Sequence, residues 1–218
     1  DFSDLYLKND GDTLVISRKS LRDKKGWFKN VSIKMKDDGK IVKVNGKRVP
    51  AYIVTVTNPA LLSASVARSS IMTASGIDAD VFNGKVSSSG DLTLSGNADA
   101  VTLNASSSGD LDASFLRART LTIKASSSAD VRGDATNGDV AIDASSSADV
   151  EVAAERAPII TVSASSSADV KLTGTCGLID VSASSSADVE AGDLLCTDTK
   201  AKASSGADIS VFASVSAI

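Results

Sequence analysis

The chain has 218 residues, of which 42% are hydrophobic and only 4% aromatic, with three prolines and no histidine. This composition excludes a disordered polymer and indicates a core of Val, Ile, Leu and Ala, while the lack of histidine removes the commonest general base and metal ligand. Residues 1–60 carry 13 basic and seven acidic side chains, whereas residues 61–218 carry 10 and 20. The second part has no basic stripe with stacking aromatics, so no nucleic-acid partner is expected.

Residues 1–60 are predicted to form an all-β leader that packs on the first of the repeats described below. Three short strands separated by turn residues are expected at 5–8, 13–17 and 31–35. The Asn45-Gly46 pair predicts a hairpin that joins strands at 41–44 and 52–56. Trp27 and Phe28 are expected to plug the open end of the repeat array rather than to bind a ligand.

From residue 61 onward the chain repeats a Ser-rich segment followed by an aspartate and an aliphatic residue. The aspartates recur at alternating spacings of 19 and 20 residues: Asp91, Asp110, Asp130, Asp149, Asp169, Asp188 and Asp208. A repeat this short cannot bury a hydrophobic face by itself, so the copies must stack on one another. We therefore predict an all-β fold in which residues 61–218 form a parallel β-helix, a solenoid of about seven to eight coils of this length.

Alternation along the strands predicts which residues fill the interior of each coil. Large aliphatic residues stand nine and seven positions before most aspartates, Ala usually five before, Gly or Ala one before, and an aliphatic residue directly after. These odd positions should face inward, because successive strand residues point to opposite sides. The serine three positions before each aspartate shares this parity and is expected to be partly buried: Ser107, Ser127, Ser146, Ser166 and Ser185. The other serines and the aspartates should line one outer edge.

The repeats resemble the bacterial GIN-domain family, labelled auto-transporter adhesin heads, whose repeats read roughly L-S-G-S-G-D-V. The matching residues are 87–92, 106–111 and 126–131, and the segments 10–16 and 53–59 are similar to the lead-in of that family. The resemblance extends over nearly the whole chain, and it departs where Ser replaces the central Gly. It implies a right-handed parallel β-helix, and it supplies no established catalytic residue.

The same resemblance implies an extracytoplasmic location, in the periplasm, outer membrane or cell surface. No signal peptide stands at Asp1, so we expect it to have been removed. No apolar stretch approaches the ~20 residues that cross a bilayer, and no transmembrane span is expected in this chain.

The column of aspartates, which we call the aspartate ladder, allows a structural and a metal-binding interpretation. Two carboxylates ~4.8 Å apart repel by roughly 0.9 kcal/mol in water, so the ladder needs compensation. In the structural interpretation, hydroxyls and turn amides compensate the repulsion by donating hydrogen bonds to the carboxylates. In the metal-binding interpretation, a row of cations does so. Calcium takes six to eight oxygens, which one carboxylate per coil supplies poorly. We therefore expect neither a metal site nor a cofactor.

Cys176 and Cys196 are 20 residues apart, so they should be stacked neighbours on adjacent coils. A Cα separation near the coil spacing lies within disulfide range. The same column otherwise holds small residues, namely Ala98, Ala118, Asn137 and Ala157. A disulfide and two buried free thiols therefore fit the pattern equally well.

The favoured functional interpretation is a non-enzymatic exported protein that presents a Ser/Asp-lined edge to a surface glycan or protein. The acids recur with the structural period, and no G-x-S-x-G nucleophile elbow is present. One alternative is a self-assembling scaffold, similar to the bactofilins, that pairs end to end through residues 211–218. A less favoured one is a carbohydrate-active enzyme, whose candidate residues off the aspartate period are Arg117, Arg119, Glu151, Glu155 and Arg156.

Overall fold

The computed structural model describes residues 5–18, 31–36, 39–44, 47–49, 54, 56, 58 and 60–212. The chain divides into two compact units, Asp1–Thr57 and Asn58–Ile218. Every regular element in the described residues is a strand, and no helix that could cross a bilayer occurs among them.

The first unit contains two small antiparallel sheets. Strand β1 (Leu5–Asp10) pairs with β2 (Thr13–Arg18), and β4 (Gly39–Val44) pairs with both β3 (Val31–Lys36) and β5 (Lys47–Val49). The hairpin expected around residues 45–46 is present, but its second strand is β5, so the prediction of 52–56 as the partner was wrong. Strands β3 and β5 pair along the two sides of β4, so this part of β4 has no free edge for another strand. The predicted role of Trp27 and Phe28 falls outside the described residues.

The second unit is a parallel β-solenoid of about seven turns, which confirms the predicted fold. Strands of successive coils pair side by side in sequence order, with β10 and β11 together pairing along β12. The strands are β6 (Ser63–Ala67), β7 (Ile71–Ser87), β8 (Asp91–Ser106), β9 (Asp110–Ser126), β10 (Asp130–Thr136), β11 (Val140–Ser145), β12 (Asp149–Ser165), β13 (Asp169–Ser184), β14 (Asp188–Ala203) and β15 (Asp208–Val211). Parallel pairing of equivalent residues puts each repeat position into a column along the solenoid.

Aliphatic columns fill the interior as the alternation predicted. In the coil that ends at Asp188, Ile179, Val181 and Ala183 are at most 3% exposed, and Val189 directly after the aspartate is 1% exposed. The largest side chain of this core, Phe82 in β7, is fully buried. Burial of these columns supplies the main stabilisation, at roughly 25 cal/mol per Å² of apolar surface removed from water.

The inward-facing residues are more exposed in the last described coil than in the coils before it. Thr199 is half-buried, and Ala201 and Ala203 are exposed, although their partners in β13 are Ile179, Val181 and Ala183. Strand β15 pairs only with Asp188–Ala191, so the later part of β14 is paired on one side among the described residues. This end of the solenoid therefore has less apolar burial than the coils before it.

Candidate functional site

A sharp corner precedes each aspartate and carries the Ser-rich segment on its outer surface. The serines three and two positions before the aspartate, which we call the corner serines, adopt left-handed backbone conformations, as in Ser107 and Ser108 with φ of 55° and 58°. The same pair occurs at Ser88 and Ser89, Ser127 and Ser128, Ser146 and Ser147, Ser166 and Ser167, and Ser185 and Ser186. A left-handed conformation costs a residue other than glycine roughly 1–2 kcal/mol, so the corners must be held by other interactions.

The predicted burial of the middle serine column was wrong. The five serines expected to be partly buried, Ser107, Ser127, Ser146, Ser166 and Ser185, are all exposed. Two consecutive left-handed residues turn the chain, so both point outward and the in–out alternation resumes only at the following Gly or Ala. That residue is fully buried where it is alanine, at Ala129, Ala148, Ala168 and Ala187.

Backbone hydrogen bonds join each corner to the corners above and below. The Ser108 N–H donates to the Ser127 carbonyl at 2.9 Å, and the Ser128 N–H donates to the Ser146 carbonyl at 3.0 Å. In the opposite direction, the Asp149 N–H donates to the Ala129 carbonyl at 3.0 Å. This continuous ladder satisfies backbone groups that the turn would otherwise leave unpaired, and it fixes the register of the exposed side chains.

The seven aspartates form one column, because each pairs in register with the aspartate of the next coil. Asp91 is half-buried and the other six are exposed. Partial desolvation and then repulsion from Asp130 and Asp169 raise the pKa of Asp149 above its ordinary value. Desolvation and repulsion from Asp130 and Asp91 likewise raise the pKa of Asp110, while Arg132 opposes the shift. The ladder thus stores like-charge repulsion in the folded state.

A second charged column, which the sequence reasoning missed, runs beside the ladder two residues after the aspartates. Its signs alternate in register along Asp112, Arg132, Glu151, Lys171 and Glu190. The Arg132 Nε lies 3.3 Å from the Glu151 Oε2. The spacing of 19 or 20 residues between these charges is the sequence feature that indicates the column. Three acidic and two basic side chains largely neutralise one another within this column, so it compensates the ladder only in part.

The side chains of the aspartate ladder are poorly arranged to coordinate a metal ion. Within the described residues, no three acidic or cysteine side chains converge on one point. Because equivalent carboxylates are displaced from one another along the column, each coil contributes a single acid at its corner. The corner can instead present hydroxyls and carboxylates as hydrogen-bonding groups at a regular spacing.

The charged residues off the aspartate period form separate surface interactions. Arg156 lies 3.5 Å from Glu155 and donates a 2.9 Å hydrogen bond from its Nε to the Asn137 side chain, and Arg119 lies 4.0 Å from Asp99. These pairs lie on exposed strand surfaces, where an ion pair contributes about 0–1 kcal/mol. Burial raises the pKa of Asp134, the neighbouring Arg117 opposes this rise and Glu155 adds to it. Glu151 belongs to the alternating column, so the five candidates do not all meet at one place.

Cys176 and Cys196 pair in register between β13 and β14 and are joined by a disulfide with a Cα separation of 4.5 Å. Cys176 is buried and Cys196 is half-buried.

The alanines expected in their column are buried, but Asn137 is exposed with φ of 64° and Gly138 takes the interior place. A side chain at Gly138 would overlap the Arg119 carbonyl oxygen, which explains why glycine occupies this site.

We expect Asp149→Asn to stabilise the protein at neutral pH, by a few tenths to about 1 kcal/mol in low salt, because it removes repulsion within the ladder. The folded pKa of Asp149 lies above the ordinary value of 3.8, so the folded state binds the proton more tightly. Wild-type stability should therefore fall as pH rises from that value through the folded pKa, and part of this fall should be absent in the variant. Urea unfolding from pH 3 to pH 7 measures both effects.

Asp143→Asn is the matched control for this substitution. Asp143 is exposed on the same coil, but its register partners are Lys124 and Ser163 rather than acids. Its neutralisation should give no gain in stability. Equal gains in the two variants would show that the protein responds to net charge and not to the ladder.

One family model matches the chain, described as "Putative auto-transporter adhesin, head GIN domain", over residues 1–155 and 132–217. These two matches together extend over almost the whole chain, including both units. No curated protein and no solved structure matches it.

Proposed function

Since the chain belongs to this family of adhesin heads, we propose that it is a non-enzymatic protein of the cell envelope or surface. Its solenoid presents the corner serines and the aspartate ladder, which together we call the Ser/Asp edge, to a surface partner. The family assignment supports an extracytoplasmic, adhesin-like role. The Ser/Asp edge is the part of the described surface that recurs in the same form in coil after coil.

The observation that carries the proposal is the regularity of the exposed corner. From Ser88 to Ser186 every coil repeats two exposed left-handed serines, and every such pair is followed by the buried small residue and the aspartate. The ladder of corner hydrogen bonds holds these groups in register, so little conformational freedom remains to be lost on binding. A rigid array of this kind favours a partner that is itself repetitive.

A hydroxyl-rich polymer such as a glycan fits the chemistry of this edge best. Serine hydroxyls both donate and accept hydrogen bonds, and ionised carboxylates accept strong ones from hydroxyl groups. Each such contact is weak in water. Because the groups repeat with every coil, a polymer bound at one coil meets the next at high effective concentration, and avidity grows without a deep pocket.

A glycan and matrix-polymer array tests the proposal directly. We expect the wild type to retain one or more polymers and the triple variant of Asp130, Asp149 and Asp169 to Asn to bind at least ~100-fold more weakly, because multivalent binding is lost with its repeats. The control triple variant neutralises Asp78, Asp143 and Asp198, which are exposed away from the corner, and so has the same net charge. It should bind within a few-fold of wild type.

Two results would contradict the proposal. Equal loss of binding in both triple variants would mean that overall charge, and not the Ser/Asp edge, governs retention. No retention of any polymer, combined with hydrolysis of a polysaccharide, would favour the enzyme alternative.

The chemistry of the last described coil gives the scaffold alternative less support. Lys200 and Lys202 lie on the outer side of β14, and the inward residues between and beyond them, Ala201 and Ala203, replace larger or better buried ones. Charged and weakly apolar terminal strands are a common protection against edge-to-edge pairing. Of the run that the scaffold alternative invokes, only Val211 and Phe212 are among the described residues. Electron microscopy of concentrated protein separates the two functions, since filaments require the scaffold.

A further inference from the structure

The disulfide lies in a part of the described solenoid where a coil is weakly held. It joins β14, the last long strand, to β13. The inward residues of β14 beyond the disulfide are Thr199, Ala201 and Ala203, and they are half-buried or exposed. Less apolar surface is therefore removed from water when this coil closes than when an internal coil does.

Backbone pairing at this coil is also one-sided among the described residues. Strand β14 pairs with β13 from Asp188 to Ala203, whereas β15 covers only Asp188–Ala191 on its other side. In a stack held by nearest-neighbour contacts, a strand segment that is paired on one side opens more readily than one that is paired on both.

The disulfide opposes this opening in a specific way. The two cysteines are 20 residues apart and lie in register, so the bond closes one coil into a ring. The weakly held part of β14 begins just after this ring, so the disulfide fixes its first residue in register with β13, and closing is correspondingly easier.

We propose that the Cys176–Cys196 disulfide is a redox clamp, which keeps the β14 coil closed when oxidised and releases it when reduced. Release would uncover the β13 coil beneath, where Ile179 and Val181 are almost fully buried at 1% and 0% exposure. In an oxidising compartment, where disulfides persist, the clamp is closed. An apolar strand edge would become exposed only under reduction.

The chemistry requires a dithiol reductant of the dithiothreitol or thioredoxin class. One reductant thiolate attacks a cysteine sulfur and breaks the S–S bond, which gives a mixed disulfide and one cysteine thiolate. The second reductant thiol then displaces the other cysteine, so the clamp gains two electrons and two protons and the reductant becomes a disulfide. Cys196 is the accessible sulfur, since it is half-buried whereas Cys176 is 8% exposed.

Hydrogen exchange measured by mass spectrometry, with and without dithiothreitol, tests the clamp. Reduction should accelerate amide exchange at least ~10-fold in peptides from residues 192–211 and leave residues 91–170 unchanged, because opening is confined to the β14 coil. The double variant Cys176→Ala/Cys196→Ala should exchange like the reduced wild type and should not respond to dithiothreitol. Alanine already fills this column at Ala98, Ala118 and Ala157, so the variant keeps a tolerated core residue.

If the double variant fails to fold, the comparison of wild-type exchange with and without reductant still tests the proposal. Exchange at 192–211 that is unaffected by reduction would overturn the proposal. Acceleration spread evenly over the whole solenoid would overturn it as well, because the disulfide would then stabilise the fold globally rather than clamp one coil.

Discussion

Gly174→Ala is expected to destabilise the protein by about 3 kcal/mol or more, because the new methyl group would occupy space already filled by backbone. Gly174 lies in β13 with φ of 112°, a conformation that residues with a side chain rarely adopt. It pairs with Ala154 of the preceding coil, and a Cβ at this position would overlap the Ala154 carbonyl oxygen. The overlap can be relieved only if the two coils move apart, and this movement breaks the backbone hydrogen bonds between them. Chemical unfolding followed by circular dichroism gives the change in free energy.

The matched control is Gly192→Ala, one coil further along in β14. Its nearest heavy atom to an added Cβ is the Ser210 Oγ at 3.5 Å, an ordinary contact, and its φ is not positive. This substitution should be neutral or slightly stabilising, since alanine has less backbone freedom to lose on folding. If the two variants lost stability equally, tight coil-to-coil contact at Gly174 would not be the cause.

Phe82→Ala is expected to destabilise the protein by about 3–5 kcal/mol, the usual range for removal of a fully buried aromatic side chain. Phe82 fills the inward position nine residues before Asp91, where the next coils carry Val101 and Leu121, and it has no exposed surface. Its truncation leaves a cavity near the beginning of the stack, and close-packed strands can collapse into it only in part. Thermal and urea unfolding should both record the loss.

Phe115→Ala provides the comparison, because it removes the same atoms from the surface. The Phe115 side chain is 72% exposed. Its removal should change the free energy of unfolding by at most about 0.5 kcal/mol. A large loss for this variant, or a small one for Phe82→Ala, would contradict the assignment of the core.

The period of the aspartates predicted the coil length and the aliphatic columns, because hydrophobic side chains leave a direct trace in the sequence. The corner was predicted only in part. Small residues such as Ala105 and Gly109 indicated close walls there, but Ser107 was placed inside by simple alternation. A left-handed backbone is signalled by glycine or asparagine, and this chain uses serine at those positions, so the signal was missing. The family pattern, with glycine at the central position, was the available hint.

The charged surface and the turns were harder to predict for a related reason. Arg132, Glu151 and Lys171 look like scattered charges until the register of the coils shows that they alternate along one column. Similarly, whether Asn137 or Gly138 faces inward depends on how one short coil closes over its neighbour, which the order of residues does not determine. Both features depend on three-dimensional neighbours 19 or 20 residues away.

The stacking order of the coils also determines how the solenoid would bear load. Strands stack in sequence order from β6 to β15, so a pull applied at the two ends of this unit runs along the stacking direction. Interstrand hydrogen bonds lie along that direction, and an axial force therefore acts on the bonds of one coil at a time rather than shearing many together. Each coil that peels away, except the one closed by the disulfide, would release roughly 65 Å of chain, at about 3.3 Å per extended residue. A solenoid built in this way would lengthen in steps and absorb work while its remaining coils stayed folded.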